Sequence, residues 1–233
     1  MVNKIAILGD FNPVFQTLHK LNDSTRDIQK YLKTEIQFDW IPTDLFNSKV
    51  VFEQNKYKGL WIAPGSPYKD MNNVLKAIKY ARQNEIPTLG NCGGFQHMII
   101  EFAINVCGIK NAAHEEVTPD SPELLIKKLA CSLIGEQEQL KILNQNSRLY
   151  DILQTKNLTA KYFCSFGLNE RYLDILNSNG LSLTSISEDG NYRSFEITSH
   201  PFFIGTLFQP ALTSTKENPD PLIIAFVKTA LKN

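Results

Sequence analysis

The chain has 233 residues, 42% of them hydrophobic, with 24 basic and 24 acidic side chains. That balance excludes the global charge that steers a protein to nucleic acid or an anionic membrane. No run approaches the about 20 apolar residues of a membrane span, and the apolar stretch at the N-terminus is too short for a signal peptide. The length suits one sizeable α/β domain over residues 1–233, with no repeat and no Pro/Gly/Ser-rich linker to divide it. Cys92, Cys107, Cys131 and Cys164 lack paired CxxC spacing. That argues against a zinc site or a disulfide framework, and for a reducing, cytoplasmic setting.

Lys4 to Leu8 reads as a buried first strand, followed by the Gly9–Pro13 turn and a helix from about Val14 to Leu32. Ile36 to Ile41 is a second strand. Gly59 to Ala63 is a third, ending in the turn Pro64-Gly65-Ser66-Pro67. A helix from about Met71 to Asn84 leads to a fourth strand ending at Thr88-Leu89, and a helix follows from Gly94 to Val106. This alternation predicts a doubly wound, mostly parallel sheet flanked by helices, in three layers of flavodoxin-like type. Ligands bind such sheets beyond the carboxyl ends of the strands, where Gly65 and Cys92 fall. The second half is shorter in rhythm. Ala130–Ile134, Leu140–Leu143, Ala160–Phe166, Leu183–Ser187, Ser194–Ile197 and Gly205–Phe208 are strand candidates, and Leu222–Leu231 is a final amphipathic helix.

The chemistry concentrates in Gly90-Asn91-Cys92-Gly93-Gly94. A strand that ends in Gly-x-Cys-x-Gly and turns at once into a helix has the layout of a nucleophile elbow. The helix N-terminus points at Cys92 and favours its thiolate. A buried structural thiol is the alternative, because free cysteines are often core residues. The flanking glycines favour an exposed, reactive thiol.

Three segments carry a family likeness. Ile86-Pro87-Thr88-Leu89-Gly90-Asn91-Cys92 with Gln96 and Ile100–Val106 is one, Pro64-Gly65 is the second, and His200-Pro201 through Gln209-Pro210-Ala211 and Pro221-Leu222 is the third. Together they resemble a class I glutamine amidotransferase domain, most closely the C-terminal domain of CTP synthases. The amidoligase domain that uses ATP and UTP has no counterpart in these residues, so the likeness extends to the free-standing proteins related to that C-terminal domain.

The resemblance implies that Cys92 is the nucleophile. It implies an oxyanion hole from the Gly93 N–H and an N–H of the Gly65-Ser66 turn, and a glutamine-like substrate held by Gln96 and Glu116. The family's triad histidine and glutamate stand in a His-Pro-Glu pattern. Here that pattern reads Gln209-Pro210-Ala211, so both are replaced, and Gln209 is left as a polar substrate contact. The arginine that grips the substrate carboxylate is replaced within Cys164–Asn169. His200 matches a structural His-Pro pair of the family and not a displaced triad histidine.

The remaining polar residues have two readings each. His114 is a candidate replacement acid/base, with a solvent loop as the alternative. His97 reads as a helix-surface histidine, with a place on the cleft as the alternative. Cys131 and Cys164 lie in apolar strand patterns and read as core thiols, with a redox pair to Cys92 as the alternative. Asp10, Asn12 and His19 could reach a ligand, though turn and cap chemistry explains the first two equally. The functional expectation is a cysteine-dependent hydrolase or transferase acting on an amide or ester of a small polar metabolite, without ordinary glutaminase activity. The rival is an inactive binding or regulatory module of the same fold. No cofactor or metal is expected, and a partner protein or a second copy is an open possibility.

Overall fold

The computed structural model describes residues 2–232. In chain order the strands are β1 (Asn3–Leu8), β2 (Ile36–Ile41), β3 (Gly59–Ile62), β4 (Thr88–Asn91), β5 (Ala113–His114), β6 (Leu124–Lys128), β7 (Gln137–Ile142), β8 (Asn157–Lys161), β9 (Phe166–Leu168), β10 (Ser182–Ser187), β11 (Tyr192–Glu196) and β12 (Phe203–Thr206). The α-helices are α1 (Gln16–Leu32), α2 (Met71–Gln83), α3 (Gly93–Asn105), α4 (Arg148–Leu153), α5 (Leu173–Ser178) and α6 (Pro221–Lys232).

Nine strands form one sheet in the order β2-β1-β3-β4-β12-β11-β10-β7-β8. The first five run parallel, with Leu8 beside Ile62, Ile62 beside Gly90 and Asn91 beside Thr206. From β12 outward every pairing is antiparallel. The sheet is therefore mixed, and its parallel half carries the doubly wound order expected from the sequence. A second sheet, β5-β6-β9, covers the far side of α3.

Side-chain alternation explains the layers. Ala6, Leu8, Leu60 and Ile62 face one side of the sheet with α2 and α3, while Ile5, Ile7 and Trp61 face the other with α1 and α6. Successive residues of a strand point to opposite faces, so a strand buried on both sides reads as a continuous apolar run. Helix α2 starts at Asp70, whose carboxylate accepts the Asn73 N–H at 2.9 Å. It buries Val74, Ala77, Ile78 and Ala81, one stripe at helical spacing. Helix α3 is buried from Gly93 to Ala103 because it lies between the two sheets. Its Glu101 is fully buried and takes two hydrogen bonds from Arg82 of α2, at 2.7 and 2.9 Å, so the pair is charge-matched where an isolated carboxylate would be costly. No helix among the described residues is long and apolar enough to cross a membrane.

Three expectations for the second half need correction. Ala130–Ile134 is a loop, held to the neighbouring 162–165 segment by the Leu133 N–H on the Cys164 carbonyl at 2.9 Å. Ala160–Phe166 is not one strand, because the chain leaves the large sheet after Lys161 and enters the small sheet at Phe166. Cys131 is exposed rather than a core thiol. His200 does brace the core: its Nδ1 accepts the Phe202 N–H and its Nε2 lies 3.4 Å from the Ala81 carbonyl. It precedes β12, whereas Cys92 sits beyond the carboxyl end of the adjacent β4.

Candidate active site

The carboxyl ends of β3, β4 and β12 are joined by buried side chains. The Trp61 indole N–H donates to Asn91 Oδ1 at 2.7 Å, the Asn91 amide donates to Thr206 Oγ1 at 2.8 Å, and the Thr206 hydroxyl donates to the Phe208 carbonyl at 2.8 Å. The next residue after Asn91 is Cys92, with φ 52° and ψ −108°. That is a strained conformation for a residue with a side chain, and it matches the sharp strand-to-helix turn expected there. The turn is closed by the Cys92 N–H on the Thr206 carbonyl and the Gln96 N–H on the Cys92 carbonyl. Gly94 must be glycine, since a Cβ there would lie 2.5 Å from the Ile62 carbonyl oxygen.

Cys92 is only 6% exposed, so the expectation of an exposed thiol needs amending: its access is through a cavity. Its pKa lies below the ordinary thiol value. The largest cause is a hydrogen bond from the Cys164 thiol, and the backbone N–H groups of Gly93 and Gly65 add to it, while burial and the Glu116 charge oppose it. The two N–H groups converge because Gly93 has no side chain. A Cβ there would stand 3.1 Å from Ser66 N and 3.4 Å from Gly65 N. Cys164 is buried, as the core-thiol reading expected, and it lines the same cavity as Cys92. The sequence signal lay in a Cys-Ser pair flanked by Phe163 and Phe166.

The cavity has a volume of about 540 Å³ and opens at the carboxyl ends of the parallel strands. Cys92, Gly65, Ser66, Gln96, Glu116 and Gln209 all line it, together with Cys164. Phe11, Phe15 and Phe163 form much of its rim and are 40–46% exposed. Among the residues lining it, Lys69 is the only cation. Asp10 and Asn12 also line it, but their carbonyl and carboxylate oxygens are taken up in the loops. Asp10 accepts from Thr43 and from the Lys69 N–H, and Asn12 accepts the Val14 N–H. His19 is bonded to the Pro13 carbonyl at 2.8 Å.

His114 is not placed to act on Cys92. Its Nδ1 accepts the Glu116 N–H and its Nε2 lies 3.1 Å from Gln96 Oε1, so both ring nitrogens have partners. Burial, with the neighbouring His97, pushes its pKa down to about 3. His97 is fully buried, which corrects the helix-surface reading. The cause is the second sheet packed over α3. Its Nδ1 donates to the Gly93 carbonyl at 2.8 Å, and burial pushes its pKa down to about 4.

The amide of Gln96 is spent within the wall: Nε2 donates to the Phe166 carbonyl at 2.9 Å and Oε1 accepts from His114. Glu116 accepts the Ser66 hydroxyl at 2.9 Å. Gln209 is 3% exposed and its Oε1 has no hydrogen-bond partner. Ala211, two residues on, does not line the cavity and packs in the apolar cluster with Leu21 and Phe226.

Residues 21–229 match the family model for glutamine amidotransferase class-I. The chain is 27% identical to a CTP synthase of Nautilia profundicola and 28% identical to one of Caldanaerobacter subterraneus subsp. tengcongensis, over 98% of its own length in both cases. It spans 46% and 44% of those proteins, less than half of each. Its fold is similar to the glutaminase domain of Trypanosoma brucei CTPS, solved with bound acivicin, with a TM-score of 0.89 and 21% identity, covering 100% of this chain and 95% of that one. A glutamine amidotransferase of Thermotoga maritima matches more distantly, with a TM-score of 0.59 and 13% identity, over 100% and 97% of the two chains. The chain belongs to the class-I glutamine amidotransferases and is related to the glutaminase domain of CTP synthases.

Proposed function

We propose that this domain is a Cys92-dependent acyl-transfer site that has lost turnover of free glutamine. The observation that supports it is a strained cysteine facing the N–H groups of Gly65 and Gly93, while all four histidine rings are bonded elsewhere. The Cys92 thiolate attacks a carbonyl carbon. The carbonyl oxygen takes up the displaced electron pair and is held by the two N–H groups, the arrangement that stabilises a tetrahedral intermediate. Collapse re-forms the carbonyl, expels the leaving group and leaves an acyl-cysteine.

The limit falls on the leaving group. An amide nitrogen departs only with a proton, and the triad histidine supplies it in the family. Gln209 cannot give or take that proton at neutral pH. Loss of such a group lowers a rate by a factor on the order of 10²–10⁴. A thiolate depends less on a base than a hydroxyl does, so acyl groups with leaving groups that depart as stable anions, such as thioesters and aryl esters, still react. The lining supports the same choice. No arginine is present to grip an α-carboxylate, and the aromatic rim suits an acyl group with an apolar body. Glu116 and Gln209 supply the polar contacts.

The test is a stopped-flow assay with p-nitrophenyl acetate beside an ammonia-release assay with glutamine. The expected result is a p-nitrophenolate burst of one equivalent per chain that Cys92→Ala abolishes, with negligible ammonia. Glutamine turnover in the usual enzyme range of roughly 1–10³ s⁻¹ that Cys92→Ala removes would overturn the reading. The unpartnered Oε1 of Gln209 favours a second reading, a module that binds a ligand without chemistry. Saturable ligand binding with no burst would select it.

A further inference from the structure

We propose that Cys92 and Cys164 form a reversible disulfide, with a hydroperoxide as the oxidant, so that the cleft carries a built-in oxidation site at its own nucleophile. The two residues come from distant parts of the chain, α3's N-terminal turn and the crossover between β8 and β9, and both line the same cavity. Each thiol perturbs the other's ionisation, Cys164 lowering the pKa of Cys92 and Cys92 raising that of Cys164. Cys92 Sγ also lies 3.7 Å from the carbonyl oxygen of Phe163, the residue before Cys164. The other two cysteines are elsewhere: Cys131 is exposed on the 130–134 loop, and Cys107 lies against the Ile175 carbonyl.

Three features make the pair chemically suited to oxidation. The cavity is open to a small peroxide although Cys92 is nearly covered. Cys164 stands between β8 and β9 in neither strand ladder, so bringing the sulfurs to bonding distance moves a loop and not a sheet. The third feature is electrostatic. In the reduced site the hydrogen bond to Cys92, burial and the Cys92 charge keep the proton on Cys164, while the charge of the buried Arg193 favours its thiolate. Once Cys92 is a neutral sulfenic acid, the hydrogen bond to a thiolate and its charge are gone, so two of the influences that hold the proton on Cys164 are removed; burial and the Glu138 charge remain, opposed by Arg193.

The steps balance. The Cys92 thiolate attacks the peroxide, an S–O bond forms as the O–O bond breaks, and the alcohol or water leaves with a proton. The Cys164 thiolate then attacks Cys92 Sγ. The S–S bond forms, the S–O bond breaks, and hydroxide leaves as water with the proton given up by Cys164. Two thiols and one hydroperoxide give one disulfide, one alcohol or water, and one further water. Resolution of this kind protects Cys92 from passing to irreversible sulfinic acid.

The experiment treats the full chain with one equivalent of hydrogen peroxide and maps peptides without reduction. A linked Cys92–Cys164 peptide should be the dominant oxidised product, reversed by dithiothreitol. The variant Cys164→Ser, with an unchanged thermal midpoint, should accumulate dimedone-trapped sulfenic acid and then sulfinic acid at Cys92. Sulfinic acid at Cys92 in the parent with Cys164 still alkylatable would overturn the proposal, as would oxidation confined to Cys131. If Cys164→Ser fails to fold, the parent map alone decides. The mapping uses no acyl substrate, so its failure is separable from failure of the acyl-transfer reading.

Discussion

His114 lies with Nε2 3.1 Å from the Gln96 carbonyl oxygen while its Nδ1 accepts the Glu116 N–H. The two bonds fix the ring as the neutral tautomer protonated at Nε2. The ring stacks on His97 with centroids 5.7 Å apart. Protonating either would place a cation in a buried pair, which is why both stay neutral. The pair is therefore a wall of the cleft and a point of acid weakness in the fold.

Stability should fall as pH drops below the ordinary histidine value. Both folded pKa values are depressed, to about 4 for His97 and about 3 for His114, from 6.5 in the unfolded chain. The unfolded state binds more protons throughout that window, so the stabilisation is complete above pH 6.5 and is lost as pH falls toward the folded values. Asp220 works the other way, since burial raises its pKa to about 6 and its contribution declines as pH rises from 3.8. The measurement is thermal midpoint against pH for the parent and for His114→Gln in an Asp220→Asn background. The His114 variant should show a shallower acid slope. An unchanged slope would mean that His114 is not held neutral.

The same variant should leave the pH profile of Cys92 alkylation alone, because His114 does not face the thiol. Glu116→Gln should move it. The Glu116 charge raises the Cys92 pKa, so removing the charge lowers the pKa and shifts the alkylation inflection to lower pH. Cys164→Ala should shift it the opposite way by deleting the hydrogen bond that lowers the pKa most. Iodoacetamide rates resolved by peptide mass spectrometry decide both signs, and a shift in His114→Gln would restore it as a candidate base.

The half of the fold that positions the cleft was legible because its signals are local. The buried runs Ile5–Leu8 and Leu60–Ile62 and the glycines around Cys92 each declare themselves within a few residues. The small sheet β5-β6-β9 did not, because its strands are two to five residues long and pair across the chain. Missing that sheet led directly to misreading His97, which is surface only if nothing covers α3. Cys164 shows the same limit, since its apolar neighbours look like a strand interior when they are a crossover between two sheets.

Gly94→Ala tests the elbow as a packing device. The new Cβ would meet the Ile62 carbonyl at 2.5 Å, and backbone on a central strand cannot swing aside. The expected loss is at the upper end of the about 1–3 kcal/mol seen for overpacking, with Cys92 alkylation slowed as α3 is pushed from β3. Chemical denaturation gives the first quantity. A variant as stable as the parent would mean that α3 sits farther from β3 than described.

Restoring the missing triad partners separates a cavity position from a core position. Gln209 lines the cavity and Ala211 packs with Leu21 and Phe226. Gln209→His alone should fold and should add an inflection near the histidine range, about 6.5, to the Cys92 alkylation profile. Ala211→Glu alone buries an unpaired carboxylate, so it should destabilise by about 3–5 kcal/mol, the scale of an uncompensated buried charge. In the double variant the carboxylate gains an imidazole to orient. The double-mutant cycle should then recover part of that loss, with a coupling of about 0.5–3 kcal/mol. Glutamine turnover should stay negligible even so, because no arginine grips the α-carboxylate. The cycle is measured by urea denaturation and the inflection by alkylation rate. Zero coupling with no inflection would show that position 209 does not address Cys92, and the placement of the chain after β12 against the elbow would then be wrong.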